Sequence, residues 1–363
     1  MKTKHPRHRL ILLEAISQNC NAVATELCRR APVGNSIEAP RHSEATTTFM
    51  KRVLGAFALS LCVSFAPRAF AVEGGLGRPI SGMQIAPFAG VIPPEPGVAV
   101  ATGETYYEGS IGGVRDVPIA GLLVANVDMK ASFTPIALFY IWPTPTKEWN
   151  FASAISFPLA WLEVEANLSL GPFSVRKKES TFGLFDLVFT PIVASHHFSQ
   201  TDHLAFSFTF WAPTGSFEKG RLVNLSQNTW TFIPGVAYTK ILPEDNIELT
   251  GIWQMEFDTE DHATHYQNGI LSDLEVLAIK RFKNGLGIGF IESWIQQVTD
   301  DEGTAADALN GFVGRAFGIG PIVTYSTKLG KSHLDFSARW IHDFDVSNRV
   351  EGDGFNFSAS LKF

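Results

Sequence analysis

The stretch Phe355-Asn356-Phe357-Ser358-Ala359-Ser360-Leu361-Lys362-Phe363 decides the fold class. Phe355, Phe357, Ala359, Leu361 and Phe363 alternate with Asn356, Ser358, Ser360 and Lys362. Extended backbone turns successive side chains to opposite faces, so this is a strand with one apolar and one polar face. The same period of two recurs upstream. Asp335, Ser337 and Arg339 alternate with Leu334, Phe336, Ala338 and Trp340. Glu248, Thr250, Gln254 and Glu256 alternate with Leu249, Gly251, Trp253, Met255 and Phe257. Glu163, Glu165 and Asn167 alternate with Leu162, Val164, Ala166 and Leu168. No long stretch after residue 71 carries a helical period, and turn-forming runs at 242–246, 283–285, 329–332 and 351–354 separate the strands. Such spacing means a sandwich, a soluble barrel or a membrane barrel.

Three observations select the membrane barrel. Residues 50–71 read as an export signal: Lys51 and Arg52, an apolar run through Ala66, then Ala69-Phe70-Ala71, with cleavage expected after Ala71. Strands of about 9–12 residues match a tilted membrane crossing. Trp142, Trp149, Trp211, Trp230, Trp294 and Trp340 fall near strand ends, as an interfacial girdle requires. In lipid every backbone group must be paired, so the sheet must close. The expected architecture is all-β: a closed antiparallel transmembrane β-barrel over residues 98–363, with about 12 strands and 10–14 allowed. Phe363 is expected to act as the signal for outer-membrane barrel assembly, with the assembly machinery and outer-membrane lipid as partners. A secreted soluble sandwich is the rival fold.

Composition agrees once the leader is set aside. The 363 residues are 45% hydrophobic and 18% charged, too polar for a helical transporter. Their 29 Phe, 8 Trp and 6 Tyr exclude disorder. A net charge of −7 argues against nucleic acid as a partner. Residues 1–49 precede the signal, and either translation begins at Met50 or the leader is extended. Residues 1–71 hold ten of the 29 cations, four of the 36 anions and all three cysteines, so the 292 residues beyond Ala71 carry −13. Without cysteine they have no disulfide framework, thiolate metal site or Cys nucleophile. Residues 72–97, rich in Gly and Pro, are either a loose periplasmic arm or a partial plug of the lumen.

Several runs together resemble the outer-membrane transporter family named for the meta-pathway of phenol degradation. They are Val72-Glu73-Gly74-Gly75, Pro93-Pro94-Glu95-Pro96-Gly97, Tyr106-Tyr107, the run from Trp211 through Trp230 to Pro234, His265-Tyr266-Gln267-Asn268-Gly269, Gln296-Gln297-Val298-Thr299-Asp300-Asp301-Glu302-Gly303, Gly318-Ile319-Gly320-Pro321, and Phe344-Asp345-Val346-Ser347-Asn348-Arg349-Val350-Glu351-Gly352-Asp353. Gln267-Asn268-Gly269 departs from the Ser-Gly ending expected there. The resemblance implies a β-barrel with a role in uptake of hydrophobic or aromatic compounds. It marks Trp230, Pro234, Gln297, Thr299, Asp300, Asp301, Gly320, Pro321, Asn348, Arg349, Gly352 and Asp353 as family-motif residues.

No catalytic or cofactor motif appears, so no catalytic residue, cofactor or metal is expected. His262 and His265 lie among Asp258, Glu260 and Asp261, where a solvated loop is the default over a metal site. His342 beside Asp343 invites a hydrolytic relay, but a girdle position fits better. If the lipid face is apolar, Glu163, Glu165, Glu248, Glu256, Asp335, Arg339 and Asp343 face the lumen. A basic residue on the lipid face near the midplane would cost about 2–4 kcal/mol. The excess of acids predicts a weak preference for cations. The expected function is passive uptake of small hydrophobic or aromatic solutes. The alternatives are a non-conducting structural barrel or a barrel enzyme acting on lipids.

Overall fold

A computed structural model describes residues 78–363 apart from 113–115, 147, 171–172 and 331. The export signal, the residues before it and Val72-Glu73-Gly74-Gly75 lie outside the described residues. The alternating stretches form strands β1 (Gly97–Ile111), β2 (Val117–Ile119), β3 (Leu122–Ile141), β4 (Trp149–Leu170), β5 (Phe173–Leu184), β6 (Leu187–His197), β7 (Asp202–Ala212), β8 (Thr231–Leu242) and β9 (Ile247–Asp258). Then come β10 (Leu271–Arg281), β11 (Leu286–Gln297), a short helix α1 (Thr304–Ala308), β12 (Arg315–Leu329), β13 (Ser332–Ser347) and β14 (Glu351–Lys362).

β1 pairs antiparallel with β14 on one edge and β3 on the other, which closes the sheet. β5 and β6 share one edge of β4: β5 pairs with residues 159–170 and β6 with residues 149–156. They are two halves of one stave broken at Phe185-Asp186, and with β2 a mere hairpin on β3 the closed antiparallel barrel has 12 strands. Tight turns lie at the end where β1 begins and where Phe363 N–H donates to the Val98 carbonyl (3.0 Å). The long connections 213–230, 259–270 and 298–314 lie at the other. In outer-membrane barrels the short turns face the periplasm.

The outer wall carries Phe206, Phe208, Phe232, Trp253, Phe290, Phe355 and Phe357, all exposed. Near its upper rim Trp340 Nε1 donates to Asp353 (2.8 Å), and the Tyr106 hydroxyl donates to Glu108 (2.9 Å). Rings in the apolar band with polar tips turned toward water are the signature of an interface. Two motif glycines have a steric reason. A Cβ on Gly320 would stand 1.7 Å from the Trp340 carbonyl oxygen, and one on Gly352 would stand 2.1 Å from that of Glu108. Either would push neighbouring staves apart.

The structure corrects the expected faces in three places. Glu163 and Glu165 do not face the lumen. They stand on the outside, where Glu163 meets Lys178 (2.8 Å) and Glu165 meets Arg176 (2.7 Å). Their neighbours Val164 and Ala166 are the buried, inward ones. This part of β4 rises above the aromatic band, so its outside meets water and its inside meets packed loop. Trp211 turns inward, 4.8 Å from the Arg78 guanidinium. The inner wall is also not uniformly polar: Ile252, Leu277, Ile279, Ile291, Ile322 and Ile341 form a buried belt around Ile85.

Candidate functional site

Ile85 belongs to the segment preceding β1, and that segment runs down the lumen. Glycine and proline deny it a strand partner of its own, so wall side chains take up its backbone groups. From the outer end downward, Arg349 Nη2 donates to Pro79 O (2.7 Å). Arg339 Nη1 lies 2.9 Å from Gly82 O and 2.7 Å from Ile85 O. Glu275 Oε2 accepts from Gln84 N (3.1 Å) and Ile85 N (2.7 Å). Glu248 Oε1 accepts from Phe88 N (2.5 Å), while Oε2 accepts from Arg281 Nε (3.0 Å). Arg281 also lies over the Phe88 ring at 4.2 Å. Gly90 N donates to Thr239 Oγ1 (3.0 Å), and the Ser195 hydroxyl donates to Gly90 O (2.7 Å). At the periplasmic exit His197 Nε2 lies 3.1 Å from Ile92 O.

The outer end of this arm is tied to the broken stave. Arg78 Nη1 pairs with Asp186 Oδ2 at 2.9 Å, both side chains buried. Arg78 Nε donates to Thr231 Oγ1 (2.9 Å). Asp186 also accepts Gly215 N (3.1 Å) and Gln227 N (3.2 Å) from the loop over the mouth. One carboxylate thus joins the arm, the break and the loop.

Beside that junction lies a mainly apolar pocket of about 130 Å³, partly open to solvent. Phe133, Leu162, Val164 and Phe185 form its wall, and Phe217 and Leu222 belong to the loop above. β7 ends at Ala212, opposite Leu187, so among the described strands β5 has a neighbour only on its β4 edge. The pocket therefore sits behind an interruption in the barrel wall.

The structure disperses the remaining sequence-derived residues. Glu248, Glu256, Arg339 and Asp343 are buried on the inner wall, and Asp335 shares their face but is exposed near the periplasmic rim. The Tyr107 hydroxyl donates to Asp343 Oδ2 (2.7 Å). Gln297 and Asp301 are buried: Gln297 Nε2 donates to Asp301 Oδ1 (2.6 Å), and Asp301 also accepts Gly269 N (2.6 Å). Thr299 Oγ1 accepts Ile270 N (2.8 Å). These contacts brace the 259–270 and 298–314 loops against each other, while Asp300 stays exposed beside Gly311. Asn348 is buried with φ +49, a backbone region that asparagine tolerates. Trp230 and Pro234 are exposed. His342 points outward to Asp353 (3.1 Å) and Asp343 points inward, so the two cannot form a relay. His265 Nδ1 lies 2.9 Å from Glu260. Among the described residues no cluster of His, Cys, Asp and Glu has metal-binding geometry.

Sequence reading missed Arg78, Asp186, Asp273 and Glu275, all buried. Asp186 had a visible signal, an acid interrupting Leu184-Phe185-Asp186-Leu187. Asp273 and Glu275 alternate with apolar residues in β10 in the same way.

Residues 117–359 match the family "Putative MetA-pathway of phenol degradation". The chain belongs to this family. Among solved structures, the COG4313 outer membrane channel from Pseudomonas putida F1 is similar with a TM-score of 0.60 at 14% identity, covering 77% of this chain and all 100% of that one. A Pseudomonas aeruginosa FadL homologue has a TM-score of 0.42 at 10% identity, covering 82% of this chain and 99% of that one. No curated protein matches this sequence. The closed 12-strand sheet and the fold of the first structure agree on an outer-membrane-type barrel.

Proposed function

We propose that this family member carries small hydrophobic or aromatic compounds passively across the outer membrane. The apolar pocket behind the broken stave carries the reading. A pocket walled by Phe133, Leu162 and Phe185 matches an aromatic ring, and Asn224, Gln227 and Asn268 in the same lining can meet a polar substituent such as a hydroxyl. The family's association with phenol degradation supports the same class, and the similar channel supports conduction as its mode. The arm clamped in the lumen argues against a wide aqueous pore. Between β5 and β7 the wall is completed by the 213–230 loop, where Leu222 N donates to Glu179 Oε2 (2.8 Å), and movement of that loop would give an apolar solute a path out of the pocket. Acids outnumber arginines on the buried inner wall, which favours leakage of cations over anions. A second reading, a non-conducting structural barrel, is favoured by that same filled lumen.

Binding of the apolar fluorophore 1-N-phenylnaphthylamine to the refolded protein tests the pocket. Leu162→Asp places a charge in the pocket wall and is expected to weaken binding about tenfold or more, the scale on which a desolvated charge acts. Unchanged binding by a folded Leu162→Asp variant would remove the support for this reading.

A further inference from the structure

One polar group in the pocket under the 213–230 loop is left unused by the fold. Asn224, Ser226, Gln227 and Asn268 share the lining with the rings of Phe133 and Phe185. Asn224 is spent on its own loop, where Oδ1 accepts Glu218 N (2.9 Å) and Nδ2 donates to Glu218 O (3.2 Å). Ser226 Oγ accepts Asn228 N (2.9 Å), and Asn268 Nδ2 donates to Asp258 Oδ2 (2.9 Å). Gln227 differs. Its Oε1 is buried, and no donor among the described residues reaches it. The large majority of buried side-chain polar atoms in proteins are hydrogen-bonded, so an acceptor left over in a pocket lining points to a donor brought by the occupant.

The backbone that carries this amide is held on each side. Gln227 N donates to Asp186 Oδ2 (3.2 Å), and Leu225 N donates to Ser216 O (3.0 Å). The Leu225 side chain is buried against Ala160 and Phe185. The volume of about 130 Å³ sets the size of the occupant. An apolar cavity of about 150 Å³ holds benzene. One aromatic ring therefore fills this pocket, and a larger molecule enters by one ring with the rest toward the open side. A ring without a donor would shut water away from Gln227 Oε1 and leave that acceptor unpaired. Stranding a buried acceptor costs more than an ordinary hydrogen bond gains, so the pocket discriminates against such a ring.

We propose that Gln227 is the specificity-determining residue of this pocket and selects single-ring aromatics that carry a neutral hydrogen-bond donor over those that carry none. The proposal rests on the pocket being a solute site. 4-Cresol and anisole test it, because they are isomers and only the cresol has an O–H to donate. Their binding is read by equilibrium dialysis of the full chain in amphipol, with protein-free amphipol as the blank. The unaltered chain is expected to bind 4-cresol at least tenfold more tightly than anisole. Gln227→Met, close in size but without the acceptor, is expected to bind the two alike, with anisole held no more weakly than by the unaltered chain. Equal binding of the isomers by the unaltered chain, or an undiminished preference in Gln227→Met, would overturn the proposal and leave the pocket as a solute site. Loss of both ligands by a folded Gln227→Met variant would also overturn it, since Gln227 would then shape the pocket and not select its occupant. Binding of neither isomer by the unaltered chain would remove the solute site itself, and the proposal with it.

Discussion

Asp186 is where burial and charge matter most for a single residue. Its carboxylate is fully buried and partnered by Arg78, Gly215 N and Gln227 N. Breaking a buried ion pair on one side strands the other charge, which costs about 3–5 kcal/mol, whereas replacing both partners by apolar groups is often neutral. Asp186→Ala is therefore expected to lower the unfolding midpoint in urea well below that of the Arg78→Met/Asp186→Leu pair. Equal losses in the two would mean that Asp186 acts through its backbone contacts alone. Gly320 makes a steric prediction of the same scale. Gly320→Val forces a side chain against the Trp340 carbonyl, 1.7 Å from where its Cβ would lie. The heat-modifiable, folded fraction is expected to fall several-fold. An unchanged fraction would show that β12 and β13 can separate without penalty.

Among the elements, the arm distinguishes a closed barrel from an open one. Charged hydrogen bonds are worth about 1.5–3 kcal/mol each, and Arg339, Arg349, Glu248 and Glu275 all spend theirs on arm backbone. Removing residues 78–92 should therefore open a path down the lumen, and single-channel conductance in planar bilayers is expected to rise several-fold. Conductance equal to that of the intact chain would mean that the lumen is blocked elsewhere. The strands themselves were legible because period two is written directly in residues such as 355–363. The arm's position was not, since a segment without periodicity binds through its backbone, and backbone leaves no pattern in side chains. The orientation of Glu163 and Glu165 was misread for a related reason. Alternation reports that two faces differ, but not whether the wet one is lumen or open water. That depends on height along the barrel, which follows from register across several strands.

For the whole molecule, the 12-strand closure, the family and the candidate pocket stand at different distances from the sequence. Closure follows from alternation together with the need to pair every backbone group in lipid. The family resemblance was legible in runs such as 296–303, which brace loops, and 344–353, where Arg349 holds the arm and Asp353 accepts Trp340 Nε1. The pocket was illegible, because Phe133, Leu162, Phe185 and Leu222 meet only when β3, β4, the stave break and the 213–230 loop are assembled. On the proposed function the arm plugs the lumen for polar solutes, and apolar ones pass beside the broken stave under the 213–230 loop. Proteoliposomes holding the intact chain measure this most directly when a monosaccharide and a small aromatic such as toluene are offered in parallel. The account predicts protein-dependent entry of the aromatic with almost none of the sugar, and sugar entry only after residues 78–92 are removed. Rapid sugar entry through the intact chain, with no protein-dependent gain for the aromatic, would contradict it.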